Sequence, residues 1–497
     1  MRAPHDLDLS AATVRRLRYA LAAVHYTVDR VDELLGPVAS AALARNETTP
    51  GLRATADGSP LATLARLWQL QVPVPVEETE RALPKLLDPL CAAGVLQRSV
   101  DEVRARVDVR PYADEGHDWW VMSDLVPGLD GGDRRVAADH VLNVGAASTT
   151  LAQLTQRRPF GSALDLGTGC GVQSLHLSTH CARTVGTDVN ARALAMARVN
   201  AGLNEVEVDL REGGLFEPVA GERFDLVTAN PPFVVSPGGA ERLVYRDSGL
   251  PGDELVRRIV ATVHQHLNPG GWCQMLANWE HRAGESWQDR LAGWVAGTGC
   301  DAWVVQREAL DPARYVEMWL ADAGLHRSPE YGRRYDAWLS WFAEQNVEAI
   351  GFGWLNLRRV DRDPPVVRVE DWPYDVEQPL GPEVASWARR TDWLGRHRDV
   401  LDTRLHVAPD VVQETSGPPG EQHPERIVLR QQRGMRRARQ VDTVEAGLVG
   451  ACDGDLTVGQ ILDALAALLD RDAAVLRSEY AERVRGIVAD GFVDPAD

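Results

Sequence analysis

Beyond Phe160, short apolar runs alternate with stretches of helical periodicity, and this alternation constrains the fold more than any other feature of the 497 residues. Helical patterns begin near Val172, Ala191 and Glu254. The strand-like runs between them are SALDL, TVGTD, EVDLRE, FDLVTAN and WCQMLAN. Strands that alternate with helices predict a parallel sheet with right-handed crossovers. Two later runs, AWVVQRE and EAIGFGWLNLRRV, would add strands to it. We therefore expect a doubly wound, mostly parallel α/β core of the Rossmann-like kind.

The chain ahead of this core is predicted to be mostly helical. Apolar residues recur at helical spacing over residues 9–46, and helical patterns return between residues 61–96. Two strand-like runs, 107–109 and 119–122, follow around a polar turn. Because three helices followed by a hairpin is the element order of a winged helix, we expect residues 1–126 to form a helical, winged-helix-like domain.

Composition indicates the remaining boundaries. The Gly/Asp-rich stretch PGLDGGDRR opens the α/β domain, which we place at residues 127–361. Residues 362–424 are rich in proline and acid and are predicted to be a connecting segment. Residues 425–497 repeat the element order of residues 61–110, so they are predicted to form a second, small winged-helix-like domain.

Charge and cysteine content exclude several kinds of chemistry. Lys85 is the only lysine among 53 basic residues, which makes catalysis by a lysine side chain very improbable. The formal charge of -19 argues against a protein that coats nucleic acid non-specifically. The six cysteines contain no CxxC pair and are expected to be reduced thiols. The first residues do not resemble a signal peptide and no apolar run is long enough for a membrane span, so we expect a cytoplasmic protein.

The strongest motif is the sequence DLGTGCG at 165–171, directly after an apolar strand and directly before a helix. Its G-x-G-x-G spacing differs from the G-x-G-x-x-G of a pyrophosphate-binding turn. Glycines at Gly167, Gly169 and Gly171 allow a sharp turn that can press against a flat adenosine, and Asp165 can lie near a cationic ligand. Asp188 ends the next strand, where an acidic residue can accept both ribose hydroxyls. Such a site suits S-adenosylmethionine.

The second motif is Asn230-Pro231-Pro232-Phe233, at the end of the run FDLVTAN. Strand carboxyl ends of a parallel sheet face the ligand crevice, so these residues should lie beside the methyl group of the cofactor. An amide or exocyclic amine must be gripped through its N–H groups to turn its lone pair towards that methyl group. The Asn230 side-chain oxygen and the Pro231 carbonyl can each accept one N–H, and Phe233 offers a π face to a planar substrate.

These motifs resemble the class I S-adenosylmethionine-dependent methyltransferases of the "small domain" group, which include glutamine methyltransferases of release factors and RNA or DNA amino-methyltransferases. The resemblance covers about residues 130–360, with DLGTGCG, GTD, ANPPFVVSP, YRDSGLPGDELVRRIV and LNPGGW. It implies a catalytic set of Asn230, Pro231 and Phe233. It also implies cofactor contacts by Asp165, Gly167, Thr168, Gly169, Gly171, Asp188, Glu212 and Asn230.

One position departs from the pattern of that group. Where many members have Gly-Asp-Leu-Phe, with the acid near the adenine amino group, this chain has Gly213-Gly214-Leu215-Phe216. Either Glu212 replaces the missing acid or the backbone alone holds the adenine.

Three further clusters are weighed against simpler explanations. The helical pattern predicts that His176, His180 and Cys181 share one helix, but they lack a convincing fourth ligand, so we expect no metal. The aromatic residues of 319–354 are expected to be mainly core. Six arginines fall between Arg426 and Arg439, and either a solvated turn or a phosphate contact would explain them.

The sequence thus predicts an S-adenosylmethionine-dependent N-methyltransferase that acts on a planar amide or amine of a macromolecule. A protein or peptide side-chain amide is the favoured acceptor, and an exocyclic amine of an RNA or DNA base is the alternative. A third hypothesis, from another class, is a nucleic-acid-binding protein with winged-helix modules whose core only senses the cofactor.

Overall fold

The computed structural model describes residues 7–114, 116–131, 137, 139–239, 248–325, 328–419 and 425–496. The chain divides into two compact units. The first comprises Met1–Ala152 and Arg158–Trp372, and the second comprises Gln153–Arg157 and Pro373–Asp497. Part of the motif YRDSGLPGDELVRRIV and part of the stretch PGLDGGDRR lie outside the described residues.

The first unit begins with helices whose N-termini are marked by N-cap residues. Ser10 and Thr27 accept a backbone N–H at the N-termini of the first two helices, as N-cap residues do. A positive φ of 69° at Gly36, followed by Pro37, kinks the second helix. The helices of this region are α1 (Ala11–Ala23), α2 (Val28–Leu43), α3 (Thr49–Ala54), α4 (Pro60–Leu64), α5 (Val76–Ala82) and α6 (Leu87–Ala92), with a π-helical turn at Ala65–Gln69 after α4.

Three short strands pair beside these helices. They are β1 (Val74–Pro75), β2 (Leu96–Arg98) and β3 (Glu102–Ala105), with β3 in the centre and antiparallel to both others. The hairpin predicted near residues 107–122 is present as β4 (Asp108–Asp114) and β5 (His117–Ser123), but it forms a sheet of its own. The winged-helix assignment of this region stays a prediction.

The central sheet of the first unit has eight strands in the described chain, in the order β13-β11-β12-β10-β9-β6-β7-β8. Within the group β6 to β10, every pair of neighbouring strands is parallel. Strand β12 is antiparallel to both β10 and β11. This confirms the predicted mostly parallel α/β core. The strands are β6 (Ala163–Leu166), β7 (Thr184–Asp188), β8 (Asp209–Glu212), β9 (Phe224–Ala229), β10 (Leu267–Arg282), β11 (Cys300–Leu310), β12 (Val347–Arg359) and β13 (Val367–Asp371).

Helices connect and cover these strands. Leu164, Val227 and Cys273 on the sheet pack with Ile259 and Leu291 on the helices in one buried cluster, which is the hydrophobic burial that the crossover pattern requires. The helices are α7 (Ala146–Leu154), α8 (Val172–Ser178), α9 (Ala191–Leu203), α10 (Glu254–Val263), α11 (Trp287–Val295), α12 (Pro312–Asp322) and α13 (Tyr331–Glu344).

Helix α9 joins the β4–β5 hairpin to the core through two asparagines. Asn200 accepts from the backbone N–H of Met122 at 2.6 Å and donates to its carbonyl at 2.8 Å. Asn204, one turn later, bonds both backbone groups of Trp120 in the same way. The two side chains therefore satisfy edge groups of β5 that a neighbouring strand would otherwise bond.

The described part of the second unit contains four helices and two three-stranded sheets. Strand β14 lies between β18 and β19 and is antiparallel to both, and β16 lies between β15 and β17. Its elements are α14 (Gly381–Arg396), β14 (Arg404–Val407), β15 (Val411–Ser416), β16 (Arg426–Gln431), β17 (Ala438–Val441), α15 (Thr443–Gly450), β18 (Asp453–Thr457), α16 (Val458–Leu468), α17 (Ala473–Ala489) and β19 (Val493–Pro495). The segment 362–424, expected to be a connection, thus carries β13 to β15 and α14 in its described part.

The order α15-β18-α16-α17-β19 matches the order α4-β1-α5-α6-β2 of the first unit. In both cases a third strand lies in the centre of the sheet. That strand follows the helices in the first unit, as β3, and precedes them in the second, as β14. The two modules share a topology that differs only in where the chain supplies the central strand.

None of the described helices combines the length and the apolar character that crossing a membrane would need. All six cysteines are free thiols.

Candidate functional site

The glycine turn joins β6 to α8 at the carboxyl edge of the sheet. Gly167, Gly169 and Gly171 have φ values of 76°, 56° and 87°, in the left-handed region that only glycine enters without strain. A Cβ at Gly171 would lie 3.1 Å from the Cβ of Ala197 on α9, whereas a Cβ at Gly167 or Gly169 would meet nothing within 4 Å. The turn is therefore closed towards the protein and open on the side where a ligand would lie.

Asp165 stabilises this turn from inside. Its side chain is fully buried, and Oδ2 accepts hydrogen bonds from Thr168 Oγ1 at 2.6 Å and Ser174 Oγ at 2.8 Å. Burial raises the pKa of Asp165 to about 6, and the two hydroxyl bonds oppose that rise. Gly186 on β7 makes room for both hydroxyls, since a Cβ there would lie 3.2 Å from each. Asp165 and Thr168, both predicted cofactor contacts, thus bond each other, and Gly186, which belongs to the motif GTD, makes room for them.

Asp188 ends β7 and faces the same turn. Its Oδ2 accepts the Gly169 N–H at 2.9 Å, and its Oδ1 accepts the Asn190 N–H at 2.9 Å. Burial raises the pKa of Asp188, while these backbone donors favour the charged form. The carboxylate is thus held at the edge of the turn, in the position from which a ribose could be bound.

The end of β8 lies beside Asp188. Glu212 is the register partner of Asp188 and is exposed, and Gly213 donates to the Asp188 carbonyl at 3.0 Å. Val189 is 70% exposed, and a Cβ at Gly214 would lie 3.9 Å from its Cγ1. Val189 therefore presents an exposed apolar surface beside Asp188. Sequence reasoning missed Val189, although an apolar residue directly after the acid could have signalled it.

Asn230 follows β9, whose neighbours are β6 and β10. Leu166 and Ala229 are register partners, so the glycine turn and Asn230 begin at the same edge on adjacent strands, about 5 Å apart. Among the described residues no group bonds the Asn230 side chain. Pro231 is buried, and Phe233 is partly buried between two apolar clusters.

The loop after Asn230 is pinned by two contacts. The Val235 N–H donates to the Tyr315 hydroxyl at 2.8 Å, and Asn278 Nδ2 reaches the same hydroxyl at 3.1 Å. Ser236 pairs with Gly252 in an isolated antiparallel bridge. Tyr315 and Asn278 are supporting residues that no local motif announced, since they are distant in sequence and meet only in the folded chain.

The segment that precedes the α/β core also reaches this edge of the sheet. Asn190 Nδ2 donates to the Asp139 carbonyl at 2.9 Å, and the Val141 N–H donates to Asp124 Oδ2 at 2.8 Å. Arg192, in the first turn of α9, binds Asp124 through Nε at 3.2 Å and Nη2 at 2.5 Å. The segment that precedes α7 is thereby fastened beside Asp188.

The clusters set aside in the sequence have structural partners. His176 bonds Tyr112 at 2.8 Å and Asp114 at 3.2 Å, and it joins the hairpin to α8. Among the described residues no group of three or more His, Cys, Asp or Glu is arranged to hold a metal. Trp319, Trp338 and Phe342 are buried, as expected for a core stripe.

Half of the predicted arginine turn is engaged within the second unit. Arg430 bonds Glu414 at 2.8 Å, and Arg439 bonds Glu445 and Asp490, each at 3.3 Å. Arg437 is only 6% exposed. The exposed arginines of the turn are Arg426, Arg433 and Arg436.

Comparison with known proteins assigns this site to a class. Residues 142–291 match the methyltransferase small domain. Two domains of unknown function match residues 23–106 and 385–495, on either side of it. The sheet, the glycine turn and this match identify the central region as an S-adenosylmethionine-dependent methyltransferase domain. The open turn, the fixed carboxylate of Asp188 and the exposed apolar side chain of Val189 fit that cofactor.

Curated relatives narrow the comparison. A release factor glutamine methyltransferase of Geobacter sulfurreducens is 32% identical over 30% of this chain and 56% of its own length. One of Xylella fastidiosa is 34% identical over 30% of this chain and 59% of its own length. A ribosomal RNA small subunit methyltransferase C of Alcanivorax borkumensis is 32% identical over 24% of this chain and 33% of its own length. The chain thus spans little more than half the length of the glutamine methyltransferases it matches.

Proposed function

We propose that this chain transfers a methyl group from S-adenosylmethionine to a planar side-chain amide of a protein, of the kind that glutamine carries. The observation that carries the proposal is the Asn230 side chain. It follows β9 beside the glycine turn, and no described residue occupies its amide. A half-buried amide without a protein partner can exchange its water for the N–H groups of a substrate.

When bound, the cofactor would supply the methyl group of its sulfonium: the acceptor nitrogen would bond to the methyl carbon as the carbon–sulfur bond breaks, the sulfur would leave as a neutral thioether, and the nitrogen would lose one N–H proton to water. On this proposal the turn and Asp188 bind the adenosine, Val189 packs against the adenine, and Glu212 lies near its edge. Asn230 Oδ1 and the Pro231 carbonyl accept the two N–H groups of the acceptor amide, and Phe233 faces its plane. Orientation of the nitrogen lone pair is the main catalytic contribution of such residues.

Two observations favour a protein acceptor over a nucleobase. Two of the relatives described above are glutamine methyltransferases. In the arginine turn, Arg430 and Arg439 are engaged by carboxylates of the chain itself, which leaves less positive charge for a phosphate backbone.

A nucleobase exocyclic amine is the second candidate, because a relative is named for ribosomal RNA and because Arg426, Arg433 and Arg436 are exposed. The third hypothesis, a protein that only senses the cofactor, does not explain why Asn230 and Pro231 follow β9 in this form.

The test is methyl transfer from a labelled donor to total extract, followed by separate nuclease and protease treatment. Label that resists nuclease and is released by protease is expected. Label that nuclease releases would favour the nucleobase candidate, and cofactor binding without any transfer would favour the sensing protein.

A further inference from the structure

The residues predicted to contact the cofactor are acidic or uncharged, although S-adenosylmethionine itself carries a carboxylate. Asp165, Asp188 and Glu212 suit its cationic groups and its hydroxyls, but none of them can bind an anion. A carboxylate in a partly buried pocket needs donors, and a guanidinium is the donor group that matches it best. An arginine near this edge with donors left open would therefore suit the carboxylate of the cofactor.

Three of the described arginines near this edge are already bound to carboxylates. Arg192 holds Asp124 through two nitrogens. Arg290 holds Asp253 at 2.6 and 2.7 Å, and Arg282 holds Glu280 at 2.8 and 2.5 Å. Each of these guanidinium groups is held by at least two hydrogen bonds to a carboxylate that fixes a loop of the chain.

Arg110 on β4 differs from them. Its Nε donates to Oδ2 of Asp108, and no described group bonds either of its Nη atoms. The side chain is 26% exposed, while Asp108 is fully buried. Asn143 Nδ2 also donates to Asp108 Oδ2, at 3.3 Å. The buried Asp108 carboxylate therefore holds the guanidinium at Nε and leaves the edge formed by the two Nη atoms open.

The position of β4 directs this open edge to α8. Tyr112 and Asp114 both contact His176 on α8, and alternate residues of a strand share a face, so Arg110 lies on the same face as they do. Along β4, Arg110 lies about 7 Å from Tyr112, on the side of the strand end that holds Asp108.

That end of the hairpin is tied to the glycine turn by two routes. Val109 is the register partner of Met122, and Asn200 links the Met122 backbone to the Cys170 carbonyl, 2.7 Å away. On the other side, Asn143 leads into α7, where the Ser148 carbonyl accepts from Gln173 at 2.7 Å, directly after the turn. The strand end that carries Arg110 is thus linked through Asn200 and Asn143 to the elements that flank the turn.

We infer that Arg110 binds the α-carboxylate of the methyl donor, held in place by Asp108. The inference rests on the cofactor part of the proposed function and is independent of the acceptor. It assigns the hairpin ahead of the methyltransferase domain a direct part in binding the donor.

The experiment compares two probes by calorimetric titration of the full chain: S-adenosylmethionine and its decarboxylated analogue, which lacks only the carboxylate. In Arg110→Gln we expect affinity for S-adenosylmethionine to fall about tenfold or more, with a change of less than about twofold for the analogue. Arg110→Lys keeps the charge and should recover part of the loss. Arg53→Gln, an exposed arginine on α3, is the matched control and should change neither affinity.

Unchanged affinity for S-adenosylmethionine in Arg110→Gln would overturn the inference, and so would an equal loss for both probes, which would indicate a structural role. If Arg110→Gln does not fold, Arg110→Lys decides by the same two-probe ratio. Failure of the unaltered chain to bind S-adenosylmethionine would instead refute the proposed function.

Discussion

The donor side and the acceptor side of the sheet edge are built in different ways. On the donor side Asp165 and Asp188 are bonded by hydroxyls and backbone N–H groups of their own chain. On the acceptor side the loop is pinned at Val235, but no described group bonds Asn230. The proposed donor pocket is therefore part of the folded framework, whereas on our proposal the Asn230 side chain is left for a substrate. Substitutions on the donor side should lower cofactor affinity, and substitutions on the acceptor side should lower turnover.

Asn230→Ala should produce the largest effect and should leave the donor side intact. Loss of one group that orients the acceptor is expected to lower turnover about 10²- to 10³-fold. Affinity for S-adenosylmethionine should stay within about twofold. Initial rates with extract and titration of the cofactor check the two sides separately. A parallel loss of cofactor affinity would remove the distinction between them.

Asp188→Ala tests the donor side in the opposite way. We expect S-adenosylmethionine to bind about 10- to 100-fold more weakly, because charge-assisted hydrogen bonds to the ligand and to Gly169 are lost. Asp209→Ala, an exposed carboxylate on the adjacent strand β8, is the matched control. If Asp188→Ala binds the cofactor as well as this control does, Asp188 has no place in the donor pocket.

Gly171→Ala should show that the donor turn belongs to the framework. A Cβ there meets Ala197 and requires a φ of 87°, so we expect a loss of about 1–3 kcal/mol in unfolding free energy. Gly293→Ala, in α11 with nothing within 4 Å of its Cβ, should instead stabilise by about 0.5–1 kcal/mol. Urea unfolding of both variants measures the contrast. Equal effects would mean that the turn tolerates an ordinary side chain.

The raised pKa of Asp165 predicts that the free energy of unfolding depends on pH. Its pKa is raised from 3.8 to about 6, so the folded state keeps its proton after the unfolded state has lost it. Stability contributed by this group is present below pH 4 and is lost as pH rises to about 6, by roughly 2–3 kcal/mol. The stability of the unaltered chain relative to Asp165→Asn should fall by that amount between pH 4 and pH 7. A constant difference would show that the carboxyl is not desolvated.

The smallest effect is expected from the arginine turn. Joint replacement of Arg433 and Arg436 by glutamine should change methyl incorporation less than about twofold if the acceptor is a protein. A loss of tenfold or more that disappears at low salt would indicate a phosphate contact and would favour the nucleobase candidate.

Residues that act within one strand–turn–helix unit could be predicted from the sequence. The glycine turn, Asp188 and Asn230 lie where the strand order placed them, because their positions follow from local spacing and parallel register. Tyr315, Asn278 and Arg110 could not be found in this way, since each acts through a partner far along the chain. The β4–β5 hairpin was predicted, but not its separation from the three-stranded sheet, because pairing between short strands depends on tertiary contacts.

The central claim is that Asn230 presents a protein amide to the methyl donor, and product analysis tests it most directly. Extract incubated with the chain and a deuterated methyl donor is digested completely, and the resulting amino acids and nucleosides are analysed by mass spectrometry. The account predicts deuterated methylglutamine or methylasparagine with the unaltered chain and little with Asn230→Ala. Deuterated methyl groups found on nucleosides alone would contradict it.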